Sequence, residues 1–566
     1  MTQGNRPFDA RRKCFTLCRA RRAWQTRWDK IAVARFLTLL PSFNDYSIGP
    51  DLHTGPHALA APSVIPRDPS CRAVLGVLLV LYALLWPLVA LLSHHSPPLD
   101  MIEGFVWSLH PQAGYYKHPP LTAWIISTSV ALLGKQPLAL LVLGPLSIVV
   151  ALVALWWLAR QFLDERLTLV AVLLTTTQLY FNVLIPEFNH NVIQIPLWAC
   201  SITLFWMATQ RGQLIWFIAL GVSLGLCALA KYSAALLYLF MVIWMLIDAG
   251  SRRHLSLGKV FSCVVVAAVV MAPNLFWLVG HDFQPLHYAQ ERMSEHLSAA
   301  GRVGEVGSFL AAQLGSVIVM LMLTVWLART YRATSGVTPL ASDEARHRAT
   351  SPALFLFAAS TLPFLFSLAV PLIAGRPLRD MWAMMMFTPL GLALVCWRPG
   401  MFASLYQRRW LFAWLILHGL LLGVYAGSVY YKTQLRPSLS RANFPGPELA
   451  RLIEADWQKK TGVPLAYLVG STWAAGNVSF YATATPAVLI NGDFSISPWV
   501  SPTRIKACGY VVLWASEKST REPAAWMSEM NPGLPEETAE LSHPTQPAIR
   551  VAVRWVIIPP AGRCGA

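Results

Sequence analysis

The residues best able to do chemistry crowd into one segment, SHHSPPLDMIEGFVWSLHPQAGYYKHPPLTAW. Here Asp100 and Glu103 stand three apart, with Phe105, Trp107, Tyr115 and Tyr116 interleaved and Lys117, His118 and two prolines following. If the stretch around the acids is helical, both carboxylates share one face. A carboxylate within about 3 Å of an attacking hydroxyl can take its proton. The same composition also fits an interfacial loop whose Trp and Tyr form an aromatic belt. A second segment, IPEFNHNVIQIP, packs Glu187, Asn189, His190, Asn191 and Gln194 at the start of an apolar run. That suits a polar ligand, or a plain N-cap at Asn189 or Asn191. Three further groups follow: Lys231 with Tyr232; His281, Asp282, His287, Glu291 and Arg292; and Arg376, Arg379 and Asp380. A lone Lys at the end of an apolar run usually snorkels to headgroups, but cations and carboxylates on several loops suit a site for an anionic lipid. The His and carboxylate groups lack metal-ligand spacing and the nine cysteines contain no CxxC pair, so neither a metal nor another cofactor is expected.

The elements that must position these groups are apolar. Of 566 residues, 55% are hydrophobic and only 13% charged, against roughly 25% charged in a soluble domain, which excludes a soluble globular protein. Runs long enough to cross about 30 Å of hydrocarbon recur near 73–93, 137–159, 167–185, 192–210, 214–230, 232–248, 259–279, 308–328, 352–374, 381–397 and 410–430. The expected fold is therefore an all-α polytopic membrane protein with eleven transmembrane helices plus outer interfacial helices. LTAWIISTSVALLG, Leu121 to Gly134, is too short to cross and is read as one of the latter. With the N-terminus in the cytoplasm, the net charge of +17 divides into +15 on the cytoplasmic side and +2 outside. The positive-inside rule accounts for that partition, and the nucleic-acid reading that +17 invites in a soluble protein falls away.

Residues 1–72 form a basic tail, expected to be disordered and cytoplasmic; 73–430 form the transmembrane domain. Residues 431–566 regain charge and carry the helix-like PGPELARLIEADWQKK and the β-rich runs PLAYLVG, YVVLWA and RVAVRWVII, which read as an extracytoplasmic α/β domain. Its two cysteines, Cys508 and Cys564, would lie in an oxidising compartment, where a disulfide is as reasonable as two free thiols.

GYYKHPPLTAW, preceded by Asp100, Glu103 and Trp107, resembles the first outer loop of the polyprenyl-phosphate-sugar glycosyltransferases, the superfamily of protein O-mannosyltransferases and lipid A aminoarabinose transferases. FNHNVIQIPLWA, ALAKYSA and APNLFWLVGHDFQPLHYAQER agree in order, and together they are similar to the bacterial lipid A and core galacturonosyltransferases. Where many members have adjacent Asp-Glu, Met101 follows Asp100 here, so Asp100 is the carry-over for the catalytic carboxylate and Glu103 the second. The resemblance implies a glycosyltransferase moving a sugar, with inversion, from a polyprenyl-phosphate donor to a hydroxyl of lipid A, lipopolysaccharide core or another glycolipid. It implies a multi-pass protein of the bacterial inner membrane with a periplasmic site and no nucleic-acid partner; galacturonic acid is the sugar the branch suggests. Lys231, Arg376, Arg379, Lys117 and His118 are the expected donor-phosphate ligands, and Tyr115, Tyr116, Glu187, Asn189, His190, Asn191 and His287 the expected substrate contacts. The competing class is a transporter or flippase, which calls for ionisable residues near span midpoints and two related halves. Here the ionisable residues lie mostly at span ends.

Overall fold

The computed structural model describes residues 69–292, 296–334, 352–435, 440–516, 525–531, 533–543, 546–562 and 564. Of the expected basic tail, all but the last four residues lie outside them. Among the described residues, seven helices are long and apolar enough to cross a membrane: Ser70–Ser93, Pro137–Ala159, His190–Arg211, Leu257–Gly280, Ala299–Tyr331, Pro352–Ala374 and Arg408–Tyr430. Each coincides with an expected span. The other four expected spans are shorter or interrupted. Leu214–Ala230 and Tyr232–Ile247 are shorter apolar helices. The stretch 167–185 is a helix Glu165–Thr175 followed by a single 3-10 turn, Leu179–Phe181, and 381–397 keeps a regular helix only over Leu390–Trp397. Hydropathy cannot separate a lipid-facing helix from an equally apolar segment enclosed by protein, where irregular backbone is tolerated because neighbours satisfy it. Gln178 shows this, donating through Nε2 to the Phe387 carbonyl at 3.1 Å and so joining the two interrupted stretches.

The bundle sorts its helices by burial. In His190–Arg211 78% of the apolar window is enclosed by protein, whereas in Leu257–Gly280 only 17% is, and Phe276 there is 79% exposed, as a lipid-facing side chain would be. That outer helix packs on Leu214–Ala230 at Gly221, where an added Cβ would lie 2.5 Å from the Cys263 carbonyl oxygen. Small residues let helices approach closely in lipid, where dispersion contacts replace the hydrophobic effect as the cohesive force.

The C-terminal segment builds a five-stranded sheet of order β2-β1-β3-β5-β4 from β1 (Tyr467–Gly470), β2 (Ala487–Ile490), β3 (Tyr510–Ala515), β4 (Glu537–His543) and β5 (Gln546–Ile558). β1 pairs in parallel with β2 and β3, and β5 runs antiparallel to β3 and β4. The parallel strands are the apolar ones, and all of β1 and β3 is buried, as expected of strands covered on both faces. Cys508 and Cys564 form a disulfide that ties the chain's end to the helix Pro502–Cys508. The helices Gly446–Thr461 and Ala474–Tyr481 lie between the sheet and the membrane domain, and Phe480 meets Phe105 edge to face at 4.9 Å.

Candidate active site

Asp100 and Glu103 both lie on the short helix Leu99–Ser108, which buries Met101, Ile102, Phe105 and Val106 and leaves the two acids half-buried on its other side. Asp100 sits in the first turn, where a carboxylate is favoured by the free N–H groups. Its Oδ2 accepts from Asn189 Nδ2 at 3.0 Å. Asn189 also caps the helix His190–Arg211, its Oδ1 accepting from the backbone N–H of Asn191 at 2.9 Å and of Val192 at 3.2 Å. Of the two roles open to this residue, cap or ligand contact, the geometry fills the cap, and the same side chain also holds Asp100.

The YYKH sequence forms a tight turn closed by two backbone bonds, Tyr115 N–H to the His118 carbonyl at 3.0 Å and His118 N–H to the Tyr115 carbonyl at 3.2 Å. Tyr115 stacks on Trp107 at 4.9 Å and donates its hydroxyl to the Trp107 carbonyl at 3.0 Å, fixing the turn to the end of the acid-bearing helix. Lys117 then reaches back to Glu103 at 2.6 Å and stands 5.2 Å above the Tyr116 ring and 5.6 Å above that of Tyr288. His118 packs against His190 with ring centroids 3.9 Å apart. The Nδ1 of His190 lies 2.8 Å from Thr122 Oγ1 and 3.2 Å from the Ala230 carbonyl, the residue before Lys231. Lys231 donates to Asn191 Oδ1 at 2.6 Å, with the Trp382 ring 5.1 Å from its Nζ.

Burial dominates the electrostatics. It raises the Asp100 carboxyl above its ordinary value, although the Asn189 hydrogen bond and the charges of Lys117, Arg441 and Lys231 pull the other way. Glu187 is pushed up to about 7 by burial and by Asp100. Burial drives Lys231 down to about 7 against the attraction of Asp100. The same burial would lower Lys117, but the Glu103 carboxylate and the Tyr116 hydroxyl more than offset it and hold the ammonium above its usual range. His118 is driven well below its ordinary value by burial and by His190, Lys231 and Lys117, and is neutral.

Asp100, Glu103, Tyr115, Tyr116, Lys117, His118, Glu187, Asn189, His190, Asn191 and Lys231 therefore form one cluster drawn from three segments between apolar helices. His287 and Arg379 are exposed and Arg376 is half-buried, and the contacts that build the cluster run through other residues. Their neighbours do join it, Tyr288 stacking edge-on against Tyr116 at 5.9 Å and Trp382 covering Lys231. Four contributors were not anticipated: Tyr288, Trp382, Lys432 and Arg441. Tyr288 stands beside His287 and Trp382 three residues after Arg379, a signal legible in the sequence. Lys432 and Arg441 follow the last span, where nothing local points back to the first loop. Among the described residues no three of His, Cys, Asp and Glu are grouped to hold a metal ion. The arrangement can take a proton at a partly desolvated carboxylate and receive an anionic group beside two lysines.

Residues 117–277 match the family model described as dolichyl-phosphate-mannose-protein mannosyltransferase. A lipid A galacturonosyltransferase of Rhizobium johnstonii is 28% identical over 46% of this chain and 55% of its own length. A lipopolysaccharide core galacturonosyltransferase of the same organism is 28% identical over 45% of this chain and 52% of its own. The aligned region thus spans about half the length of these two relatives. A second core galacturonosyltransferase of that organism is 24% identical over 79% of this chain and 87% of its own length. In fold, the chain is similar to ArnT from Cupriavidus metallidurans, whose crystal structure is of the form bound to undecaprenyl phosphate. The TM-score is 0.55 at 17% identity, covering 85% of this chain and 97% of that one. The sequence similarity is thus to the mannosyltransferase family model over residues 117–277 and to the three galacturonosyltransferases, and the likeness to ArnT is one of fold.

Proposed function

We propose that this chain is a membrane glycosyltransferase that moves a sugar from a polyprenyl-phosphate donor to a hydroxyl of lipid A or the lipopolysaccharide core, on the periplasmic face of the bacterial inner membrane. The observation that carries the reading is the juxtaposition of Asp100, a half-buried carboxylate hydrogen-bonded to Asn189, with Lys117 and Lys231, two cations held by the neighbouring segments. In one displacement the acceptor oxygen attacks the anomeric carbon, its proton passes to Asp100, and the bond from that carbon to the phosphate oxygen breaks. A raised carboxyl is a better base than an exposed one, because its affinity for the proton is closer to what neutral pH demands. Charge developing on the departing lipid phosphate is stabilised by Lys117 and Lys231, more strongly in a water-poor cleft than in bulk water. One carboxylate opposite the leaving group gives inversion. The bands 1–72, 73–430 and 431–566 then serve as cytoplasmic tail, transferase domain and periplasmic domain. The sugar suggested by the relatives is galacturonic acid, and Arg376 or Arg379 on the outer loop beside Trp382 can approach its carboxylate.

The test is sugar transfer by purified protein in proteoliposomes with a defined polyprenyl-phosphate sugar and lipid A. Asp100→Asn keeps the shape and loses the base, so kcat should fall about 100- to 10,000-fold with insertion unchanged. Transfer at the wild-type rate would sink the assignment, and transfer from nucleotide sugars alone would sink the lipid donor.

A further inference from the structure

The charges of the site do not close on the residues so far assigned to it. Asp100, Glu103 and Glu187 supply three carboxylates, and Lys117 and Lys231 two cations. Two more cations reach the cluster from beyond the last long helix: Arg441 acts on Asp100, Glu103 and Glu187, and Lys432 on Glu187. Their placement is built into the fold. The fully buried Asn443 donates through Nδ2 to the Lys432 carbonyl at 3.2 Å, and its Oδ1 accepts from the Ser440 N–H at 2.7 Å, locking the two cation-bearing turns together. The turn is pinned in front of the acid-bearing helix by the His95 N–H on the Ala442 carbonyl at 2.9 Å and by Ser96 Oγ on the Phe444 carbonyl at 2.9 Å.

Had these cations served only to neutralise the carboxylates, close pairs would be expected, like Lys117 on Glu103. Instead both side chains are exposed, and neither makes an ion pair among the described residues. With every group ionised, four cations face three carboxylates, leaving the cluster one positive charge in excess. Lys432 lies two residues past the end of the helix Arg408–Tyr430, one of the helices long and apolar enough to cross a membrane. Arg supplies a planar fork of donors matched to phosphate, and Lys a compact point charge beside it.

We propose that Lys432 and Arg441 form a phosphate-binding pair at the mouth of the site, taking the phosphate of a lipid-borne substrate. This rests on the transferase reading for the identity of the lipid, which is either the polyprenyl phosphate carrier or the acceptor glycolipid, and the test separates the two. Full-length protein in nanodiscs is titrated with polyprenyl phosphate, with phosphorylated lipid A and with dephosphorylated lipid A, for wild type, the double variant Lys432→Gln/Arg441→Gln, and Arg441→Lys. The expected result is about a tenfold loss of affinity in the double variant for one of the two phosphate lipids, none for dephosphorylated lipid A, and partial retention by Arg441→Lys. Which phosphate lipid responds names the source. Unchanged affinity for both phosphate lipids overturns the proposal, and so does an equal loss for all three lipids, since that reports damage to the site as a whole. A wild-type protein that binds phosphate lipid in this manner yet transfers no sugar would refute the transferase reading and leave the pair standing.

Discussion

At the scale of single residues, the site sets two titrations against each other. Asp100 must be deprotonated to act as a base, and burial holds its carboxyl above the ordinary carboxylate range, so the rate climbs as pH rises through that raised value. Glu187, at about 7, adds to the same limb, because each of the two acids makes ionisation of the other harder. Lys231 acts in the opposite sense. Charged below about 7, it loses its proton as pH rises, and with it the stabilisation of a departing phosphate. The expected kcat/KM profile is therefore a narrow bell with its falling limb near neutrality. Lys231→Arg, which stays protonated throughout, should remove the falling limb and leave the rising one. A fall that persists unchanged in that variant would take Lys231 out of the titration. The first-loop half of this chemistry is legible in the sequence because Asp100, Glu103, Lys117 and His118 are near neighbours in the chain. Lys432 and Arg441 are not, since they meet the acids only through the docking of a turn more than three hundred residues away.

At the scale of elements, the site depends on helix ends. Asn189 is at once the N-cap of His190–Arg211 and the donor to Asp100, so cap and base share one side chain. Asn189→Ala should cost about 1 kcal/mol through the lost cap and also strip Asp100 of the hydrogen bond that lowers its carboxyl, moving the rising limb to higher pH. Asn189→Asp separates the two effects. The cap survives, thermal unfolding stays close to wild type, and a second carboxylate near Asp100 moves the limb upward; a variant as unstable as Asn189→Ala would contradict this. The seven long helices could be read from hydropathy because lipid selects for long uninterrupted apolar runs. The interrupted stretches 167–185 and 381–397 could not, because side chains such as Gln178 satisfy their irregular backbone inside the protein, leaving composition apolar while the helix ends. In the C-terminal domain β1, β3 and β5 were legible as apolar or β-branched runs. β4 was not, since ETAELSH is a polar edge strand paired on one side only, with β5.

At the scale of the whole molecule, the C-terminal sheet domain is the back wall of the helix that carries the acids. A Cβ added at Gly476, on the helix Ala474–Tyr481, would lie 2.6 Å from Ile102 Cγ2 and 3.1 Å from Val106 Cγ2. Lys135 reaches across to the Thr485 hydroxyl at 2.6 Å, and His110 stacks on Trp499 at 5.7 Å with the ring planes 8° apart. Gln284 Nε2 donates to the Ser495 carbonyl at 3.2 Å, so a second segment between spans meets the same domain. The helix bearing Asp100 and the turn bearing Lys117 are thus braced on one side by the helical bundle and on another by the sheet domain. Misplacing a catalytic group by 1 Å can cost about a hundredfold in rate. Gly476→Val must push Ile102 and Val106 aside, and with them the turn of helix between Asp100 and Glu103. Transfer should fall by at least about tenfold while membrane insertion and the Cys508–Cys564 disulfide persist. Because Tyr115 fixes the lysine-bearing turn to Trp107 on that same helix and Lys117 pairs with Glu103, donor affinity should fall together with kcat. Wild-type kcat in an inserted, disulfide-bonded Gly476→Val protein would mean that the sheet domain covers the acid-bearing helix without setting its position.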